Sequence, residues 1–274
     1  MGKKVTIPQL QQMKDNGKKI VGVVAWDYHM ASIVDRAGVE IVSVGDTVGI
    51  NLWGQANPLE ITIDQMITVT KAARQGTKHA LLSCDFPYGP LQEGADSAVR
   101  AGIQMVKETG VDMIKLDGAA DFPEAVTAMA RAGIPVWAQF GITPQTALQH
   151  GMEYSAMSKP GAQVPLEMKQ KLIDEAKMLE DAGAVLLDFT NSGPVVGPDV
   201  VSSVSIPVIG GFGGGPWLDG RVRLAHAAVG YGVKFLDQEI ETYANITHTI
   251  YDAIESFSKD VRAGKQIKGG IPIK

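Results

Sequence analysis

Cysteine is almost missing from this chain. Cys84 is the one thiol in 274 residues, which excludes an internal disulfide and a thiolate cluster for zinc. Long apolar runs are missing as well: nowhere do about 18 apolar residues come in succession, so no spanning helix is expected. The start, Met1-Gly2-Lys3-Lys4, is basic, but Pro8, Gln9, Gln11 and Gln12 interrupt the next stretch, and no signal-peptide core is read there. The five histidines (His29, His79, His150, His226, His248) fall in no HxH or HExxH spacing. Basic excess is absent too. A net charge of -5 and a pI near 5.6 exclude a general binder of nucleic acid or anionic membrane. The expected place is the cytoplasm.

What the chain does have is a repeated pattern of apolar runs and amphipathic segments. At 45% hydrophobic and 20% charged it can fill one large core. Strands are predicted at Ile20 to Ala25, Glu40 to Val44, Ala80 to Ser83, Met113 to Leu116, Pro135 to Ala138, Ala184 to Leu187, Ile206 to Ile209 and Val233 to Leu236. Helices are predicted between them, at Asp27 to Ala37, Ile63 to Gln75, Ala95 to Thr109, Phe122 to Ala132, Leu166 to Ala182 and Asp219 to Val229. Near-continuous apolar strands alternating with helices mean a parallel sheet covered on both faces. Eight such units favour a single (β/α)8 TIM barrel over residues 1–274, with an open doubly wound sheet as the other arrangement. The segment Ile7 to Lys14 is a short helix placed to cap the barrel, and Tyr243 to Val261 is a helical tail. Two long segments, Gly49 to Ile61 and Gly151 to Pro165, are binding loops or subunit contacts.

A barrel of this kind works at the C-terminal ends of its strands. Those ends read Asp27, Asp46-Thr47, Asp85, Lys115 with Asp117, Gln139, Asp188, a glycine run, and Asp237. Any one aspartate there is as well explained as a helix cap. Several converging carboxylates are better explained by a divalent cation that relieves their repulsion. Period-two alternation puts Met113, Lys115 and Asp117 on one face of a strand, so Lys115 points inward with Asp85 as a partner on the adjacent strand. An inward lysine can also form a Schiff base with a carbonyl substrate. The run Gly210-Gly211-Phe212-Gly213-Gly214-Gly215 is either a phosphate cradle or a flexible turn. His150, beside a long loop, is the histidine placed to line the site.

Five stretches, in order, resemble one known family. Val44-Gly45-Asp46-Thr47-Val48-Gly49 resembles the VGDS-LG motif of the ketopantoate (3-methyl-2-oxobutanoate) hydroxymethyltransferases. Ala80 to Gly89 is similar to their A-L-V-x-D-x-P-F-G segment, and Ile114-Lys115-Leu116-Asp117-Gly118 to VKLEG. Gly141-Ile142-Thr143-Pro144-Gln145 is similar to GLTPQ, and Ile206-Pro207-Val208-Ile209-Gly210 to SIP-x-IGIGAG. The resemblance implies a (β/α)8 barrel related to phosphoenolpyruvate mutase and isocitrate lyase, and a homo-oligomer, a decamer in the family. It implies transfer of a hydroxymethyl group from the co-substrate 5,10-methylenetetrahydrofolate to a small 2-oxo acid, 2-oxoisovalerate in the family, with Mg2+ or another divalent cation bound. Carried over, Asp46, Asp85 and Asp117 form the metal site, and Thr47, Lys115 and Gln139 contact the acid together with Asp46 and Asp85. Asp188 stands at the base, with Lys115 beside it.

The chain also departs from that pattern. Asp188 replaces a glutamate and is followed by Phe189-Thr190-Asn191-Ser192-Gly193-Pro194 where the family has C-V-P. Gln139-Phe140 stands where a histidine precedes the glycine, Asp117-Gly118-Ala119 replaces EGG, and Thr68-Val69 replaces a Tyr-His pair. The departures gather on the rim, which points to an altered substrate or reaction, such as a different 2-oxo acid. Two other functions stay open from sequence: a lyase or aldolase of the same superfamily acting without folate, and a non-catalytic 2-oxo-acid-binding homologue.

Overall fold

The computed structural model describes residues 3–271 apart from positions 158 and 160. Met1, Gly2 and residues 272–274 therefore lie outside the described residues. The chain divides into two compact units, residues 1–223 and 224–274, where the sequence suggested one domain.

Eight parallel strands close into a barrel in chain order. They are β1 (Ile20–Val24), β2 (Ile41–Val44), β3 (Leu81–Asp85), β4 (Met113–Leu116), β5 (Val136–Gly141), β6 (Leu186–Thr190), β7 (Val208–Gly210) and β8 (Gly220–Leu224). Helices α1 (Ile7–Asp15), α2 (Tyr28–Arg36), α3 (Val48–Trp53), α4 (Ile63–Gly76), α5 (Ala95–Thr109), α6 (Pro123–Arg131), α7 (Lys169–Asp181) and α8 (Gly193–Ser202) complete the first unit. The second unit carries α9 (Ala225–Val229), α10 (Lys234–Asp237) and α11 (Ile246–Arg262). Among the described residues no helix is long and apolar enough to cross a membrane.

The barrel interior is layered. Ile20, Ile41, Leu81, Met113, Trp137, Leu186 and Ile209 form an apolar floor, and Leu10 of α1 closes it from below, as expected of a capping helix. Two residues further along each strand the same inward face turns polar. Ser83 Oγ donates to Ser43 Oγ at 2.8 Å, and Lys115, Gln139 and Asp188 continue that layer. Outward residues pack under the helices: the Cys84 thiol is fully buried, 3.0 Å from Thr70 Oγ1 of α4, and burial pushes its pKa up.

The sequence-based assignment fails at the eighth strand. Val233 to Leu236 is not a strand: α10 occupies Lys234–Asp237, so Asp237 ends a short helix and does not follow a barrel strand. A four-residue apolar run fits a buried strand and a helical turn equally well. The true β8 lies in the stretch read as helix, and its alternation is plain: Gly220 and Val222 buried, Arg221 and Arg223 exposed. Gly220 is required by closure. A Cβ there would stand 2.1 Å from the Ile20 carbonyl oxygen, where β8 meets β1. Helix α8 was missed because Gly193, Pro194, Gly197 and Pro198 all argue against a helix; Pro194 sits in its first turn, where its missing N–H costs nothing. The long segment from Gly49 contains α3, a short helix rather than a loop.

One aspartate far from the rim holds the outer layer to the sheet. Asp35 of α2 accepts the backbone N–H groups of His79 (2.9 Å) and Ala80 (2.8 Å), and meets His79 Nδ1 at 2.9 Å. Burial opposes its ionisation, but these donors outweigh it and hold the carboxyl below its ordinary range. Its contribution is therefore complete above the ordinary carboxylate pKa and is lost as pH falls through the lowered value. Asp35→Ala leaves two backbone donors without an acceptor and should cost about 2–4 kcal/mol in urea unfolding. The gap between variant and parent should narrow in acid; a constant gap would contradict the assignment.

Candidate active site

Four aspartates and one lysine meet at the C-terminal mouth of the barrel. Asp46 follows β2 and is 4% exposed; Asp85 ends β3; Asp117 follows β4 and is 5% exposed; Asp188 lies within β6 and is 3% exposed. Lys115 of β4 is the register partner of Asp85. Its Nζ stands 3.0 Å from Asp188 Oδ2 and 3.7 Å from Asp85 Oδ2, 5.2 Å above the centre of the Trp137 ring. The inward direction inferred from alternation at 113–117 is the observed one.

The chain brings the remaining acids together through backbone and amide groups. The Asp46 N–H donates to Asp85 Oδ2 at 3.3 Å. Gln145 Nε2 donates to Asp46 Oδ2 and to the Phe86 carbonyl, both at 3.2 Å, while the Gln145 N–H donates to Asp117 Oδ2 at 3.1 Å. Gln145 thus ties Asp46 to Asp117, a part that sequence reasoning left unassigned although it lies in the Thr-Pro-Gln motif. Thr47 is half-buried at the N-cap of α3. Gln139 is buried on β5, and its Nε2 donates to Thr190 Oγ1 at 2.7 Å. Asp27, by contrast, caps α2: its Oδ1 accepts the Met30 N–H at 2.9 Å, so the capping explanation holds there.

The electrostatics follow from burial. Asp46 is pushed well above the carboxylate range by desolvation and then by Asp85 and Asp117. Asp85 is also raised, burial outweighing the help of Lys115. Asp117 is pushed up to about 7 by burial, against hydrogen bonds from Thr143 and Gln145. Burial works to lower Lys115, yet Asp188, Asp85 and Asp46 together hold it firmly as an ammonium. In that state it lacks the free amine that a Schiff base requires. Three carboxylate oxygens, Asp85 Oδ1, Asp117 Oδ1 and Asp188 Oδ1, are buried with no hydrogen-bond partner. Among the described residues no three His, Cys, Asp or Glu side chains form a set able to hold a metal by themselves. A cation here would complete its shell with water and substrate oxygens, as magnesium commonly does.

Loops that sequence alone could not place close the site. Tyr154, from the segment after Gly151, is half-buried; its hydroxyl pKa is raised by burial and then by Asp46. The Tyr154 ring meets Phe212 edge-on, 6.3 Å between centres. Phe212 sits in the glycine run after β7, which is no open phosphate cradle. Arg221 turns the loop's carbonyls onto its guanidinium: Nε to Gly210 O at 3.1 Å, one terminal nitrogen to Gly211 O at 2.8 Å, the other to Gly214 O. Asn191 is the one non-glycine among the described residues with positive φ, at 57°, and its N–H donates to the Phe212 carbonyl at 2.8 Å. His150 borders a crevice of about 80 Å³ with Asp121, Phe140, Gly141, Lys171 and Glu175.

Removing the lysine should be costly, because it would leave Asp188 and Asp85 buried without their counter-charge. Lys115→Met is expected to lose about 3–5 kcal/mol in urea unfolding, and Lys115→Met with Asp188→Asn to recover part of that loss. Strict additivity of the two changes would show that the pair does not interact.

The profile of the family described as ketopantoate hydroxymethyltransferase matches residues 4–266. The 3-methyl-2-oxobutanoate hydroxymethyltransferase of Cyanothece sp. is 36% identical over 261 residues, 94% of this chain and 96% of the relative. The enzyme of that name from Cytophaga hutchinsonii is also 36% identical, covering 95% of this chain and 93% of its own. Among solved structures, 2,3-dimethylmalate lyase, a PEP mutase/isocitrate lyase superfamily member, superposes with a TM-score of 0.60 at 15% identity, over 98% of this chain and 92% of that one. A phosphonopyruvate hydrolase complexed with oxalate and Mg++ gives 0.60 at 14% identity, with coverage of 98% and 92%. These structures share the fold. The match along almost the whole length, together with relatives above one-third identity, means that this chain belongs to the ketopantoate hydroxymethyltransferase family.

Proposed function

We propose that this protein takes a proton from the carbon beside the ketone of a small 2-oxo acid and adds a hydroxymethyl group there, with 5,10-methylenetetrahydrofolate as donor. Family membership and the names of the relatives support the reaction class. The observation that carries the reading to these residues is the set of three unpartnered carboxylate oxygens around one buried ammonium. Hard, anionic oxygens of this kind suit a divalent cation such as Mg2+. Asp46 and Asp85 would hold it, with Asp117 beside them. Bound there, the cation would supply a Lewis acid for the ketone oxygen.

The chain's own groups have separable tasks. Lys115 and Thr47 bind and orient the acid, and Gln139 lines the wall beside it. Asp188 is the base. Its Oδ2 is engaged by Lys115, while Oδ1 has no partner and can take the proton. As the C–H bond breaks, its electron pair forms the carbon–carbon double bond and the ketone π pair moves to oxygen. Water adds to the donor's methylene carbon and both of its C–N bonds break, releasing tetrahydrofolate and leaving the one-carbon unit as a carbonyl. The enolate carbon attacks that carbon, and the resulting alkoxide takes back the proton held by Asp188 as the new hydroxyl.

Deuterium exchange at C3 of a 2-oxo acid, with and without Mg2+, tests the first half of the reaction. Asp188→Asn should slow exchange by about 10²–10⁴-fold while sparing binding of the acid. Asp46→Ala and Asp85→Ala should each abolish the metal dependence, and full activity in either would sink the metal assignment. Product formed only with the folate donor separates transfer from folate-free cleavage, the competing lyase reaction. Metal-dependent binding without any exchange would mark a non-catalytic binder. Borohydride should leave no substrate on Lys115.

We also read the protein as a homo-oligomer of its own chain. Support comes from α11, whose Ile250, Ile254, Phe257 and Val261 are 43–62% exposed on one amphipathic face. Sedimentation should give a species larger than the 29.1 kDa chain, and a monomer would remove this part of the reading.

A further inference from the structure

Beside Asp188 two side chains carry hydrogen-bonding capacity that the protein does not use. Gln139 is the register partner of Asp188, and Thr190 lies two residues beyond Asp188, on the same face of β6. Both are buried, and their mutual bond runs from the Gln139 amide nitrogen to the Thr190 hydroxyl oxygen at 2.7 Å. That bond leaves the amide oxygen of Gln139 free to accept and the hydroxyl hydrogen of Thr190 free to donate. Among the described residues neither group makes a further hydrogen bond. One acceptor next to one donor is the complement of a single alcohol.

The surroundings point the same way. At this level the inward neighbours are Ser43, Ser83 and Lys115, and the apolar floor of Leu81, Met113, Trp137 and Leu186 lies two residues lower on the strands. The relatives are named for 3-methyl-2-oxobutanoate, whose C3 carries two methyl groups. Methyls held over Asp188 and against this wall would displace water from a donor and an acceptor and offer nothing in return.

We propose that the Gln139–Thr190 pair is a specificity determinant, and that the 2-oxo acid this protein takes bears a hydroxyl on its side chain. The inference rests on the functional reading above and narrows its substrate class. A site built to bond a hydroxyl rejects the analogue lacking it far more strongly than an apolar pocket rejects an extra methyl.

The test uses two acids of equal size, 4-hydroxy-2-oxobutanoate and 2-oxopentanoate, which differ by OH against CH3. In metal-dependent exchange at C3, kcat/KM should favour the hydroxylated acid by about 100-fold or more. Thr190→Val keeps the shape and removes the donor; it should cut that ratio at least about tenfold, with the melting temperature little changed. Gln139→Leu should act in the same direction and improve the rate with 2-oxopentanoate. Faster exchange of 2-oxopentanoate or 3-methyl-2-oxobutanoate by the parent protein would overturn the inference and leave the reaction class standing. So would an unmoved ratio in a folded Thr190→Val. If that variant does not fold, the parent's ratio decides. No exchange with any 2-oxo acid would bring down the functional reading and this inference together.

Discussion

A single buried ammonium governs this barrel. Lys115 rises from β4 into a mouth lined by four carboxylates, 3.0 Å from one and 3.7 Å from another. Without it the interior would hold only like charges in a poorly solvated space, and their repulsion would open the strand ends or force the acids to protonate. With it, the acids keep part of their charge deficit: three oxygens remain unmatched. The fold is thereby held together around a centre that keeps three buried carboxylate oxygens unpartnered. The neutral floor below and the glycine-bearing loops above isolate this centre from the rest of the molecule.

Much of that centre was legible in the sequence because strands translate spacing into direction. Met113, Lys115 and Asp117 alternate with Ile114 and Leu116, and no other geometry sorts those residues so cleanly into two faces. Asp46 and Asp85 were legible because each ends an apolar run. The errors are equally physical. Gly220-Arg221-Val222-Arg223 carries a correct two-residue period, but its short length let the neighbouring Leu224, Ala225 and Ala228 suggest a helix instead. Gln145, Tyr154 and Arg221 act through loop backbone or across non-adjacent segments, which no local period encodes. The three-carboxylate metal set taken from family resemblance is the part that the geometry supports least directly, since no three ligands form a ready cage among the described residues.

The corner formed by β6, β7 and β8 shows why the departures from Asp188 to Pro194 come as one block. Asn191 holds a left-handed backbone against Gly213, where a Cβ would stand 2.7 Å from the Asn191 Cα. Trp217 donates to Ser192 at 2.9 Å, and a Cβ on Gly197 or Gly215 would stand 2.3 Å from its ring. Arg221 fixes the intervening carbonyls. A change at any one of these positions alters the space available to the others, so this corner can be revised only as a unit. Asp188 and Thr190 belong to the same strand end, which couples both positions to the same block of sequence.

Cys84 gives the molecule a built-in clock. The thiol is on the outer face of β3, sealed under α4 and bonded to Thr70, one residue from Asp85. A reagent cannot reach it through the barrel mouth, because its side chain faces the other way. Alkylation therefore proceeds only when strand and helix separate, and its rate counts openings of the scaffold rather than access through the mouth. A ligand that slows this labelling does so by stabilising the whole β3–α4 layer, which makes one silent sulfur a gauge of how tightly the site and its frame are joined.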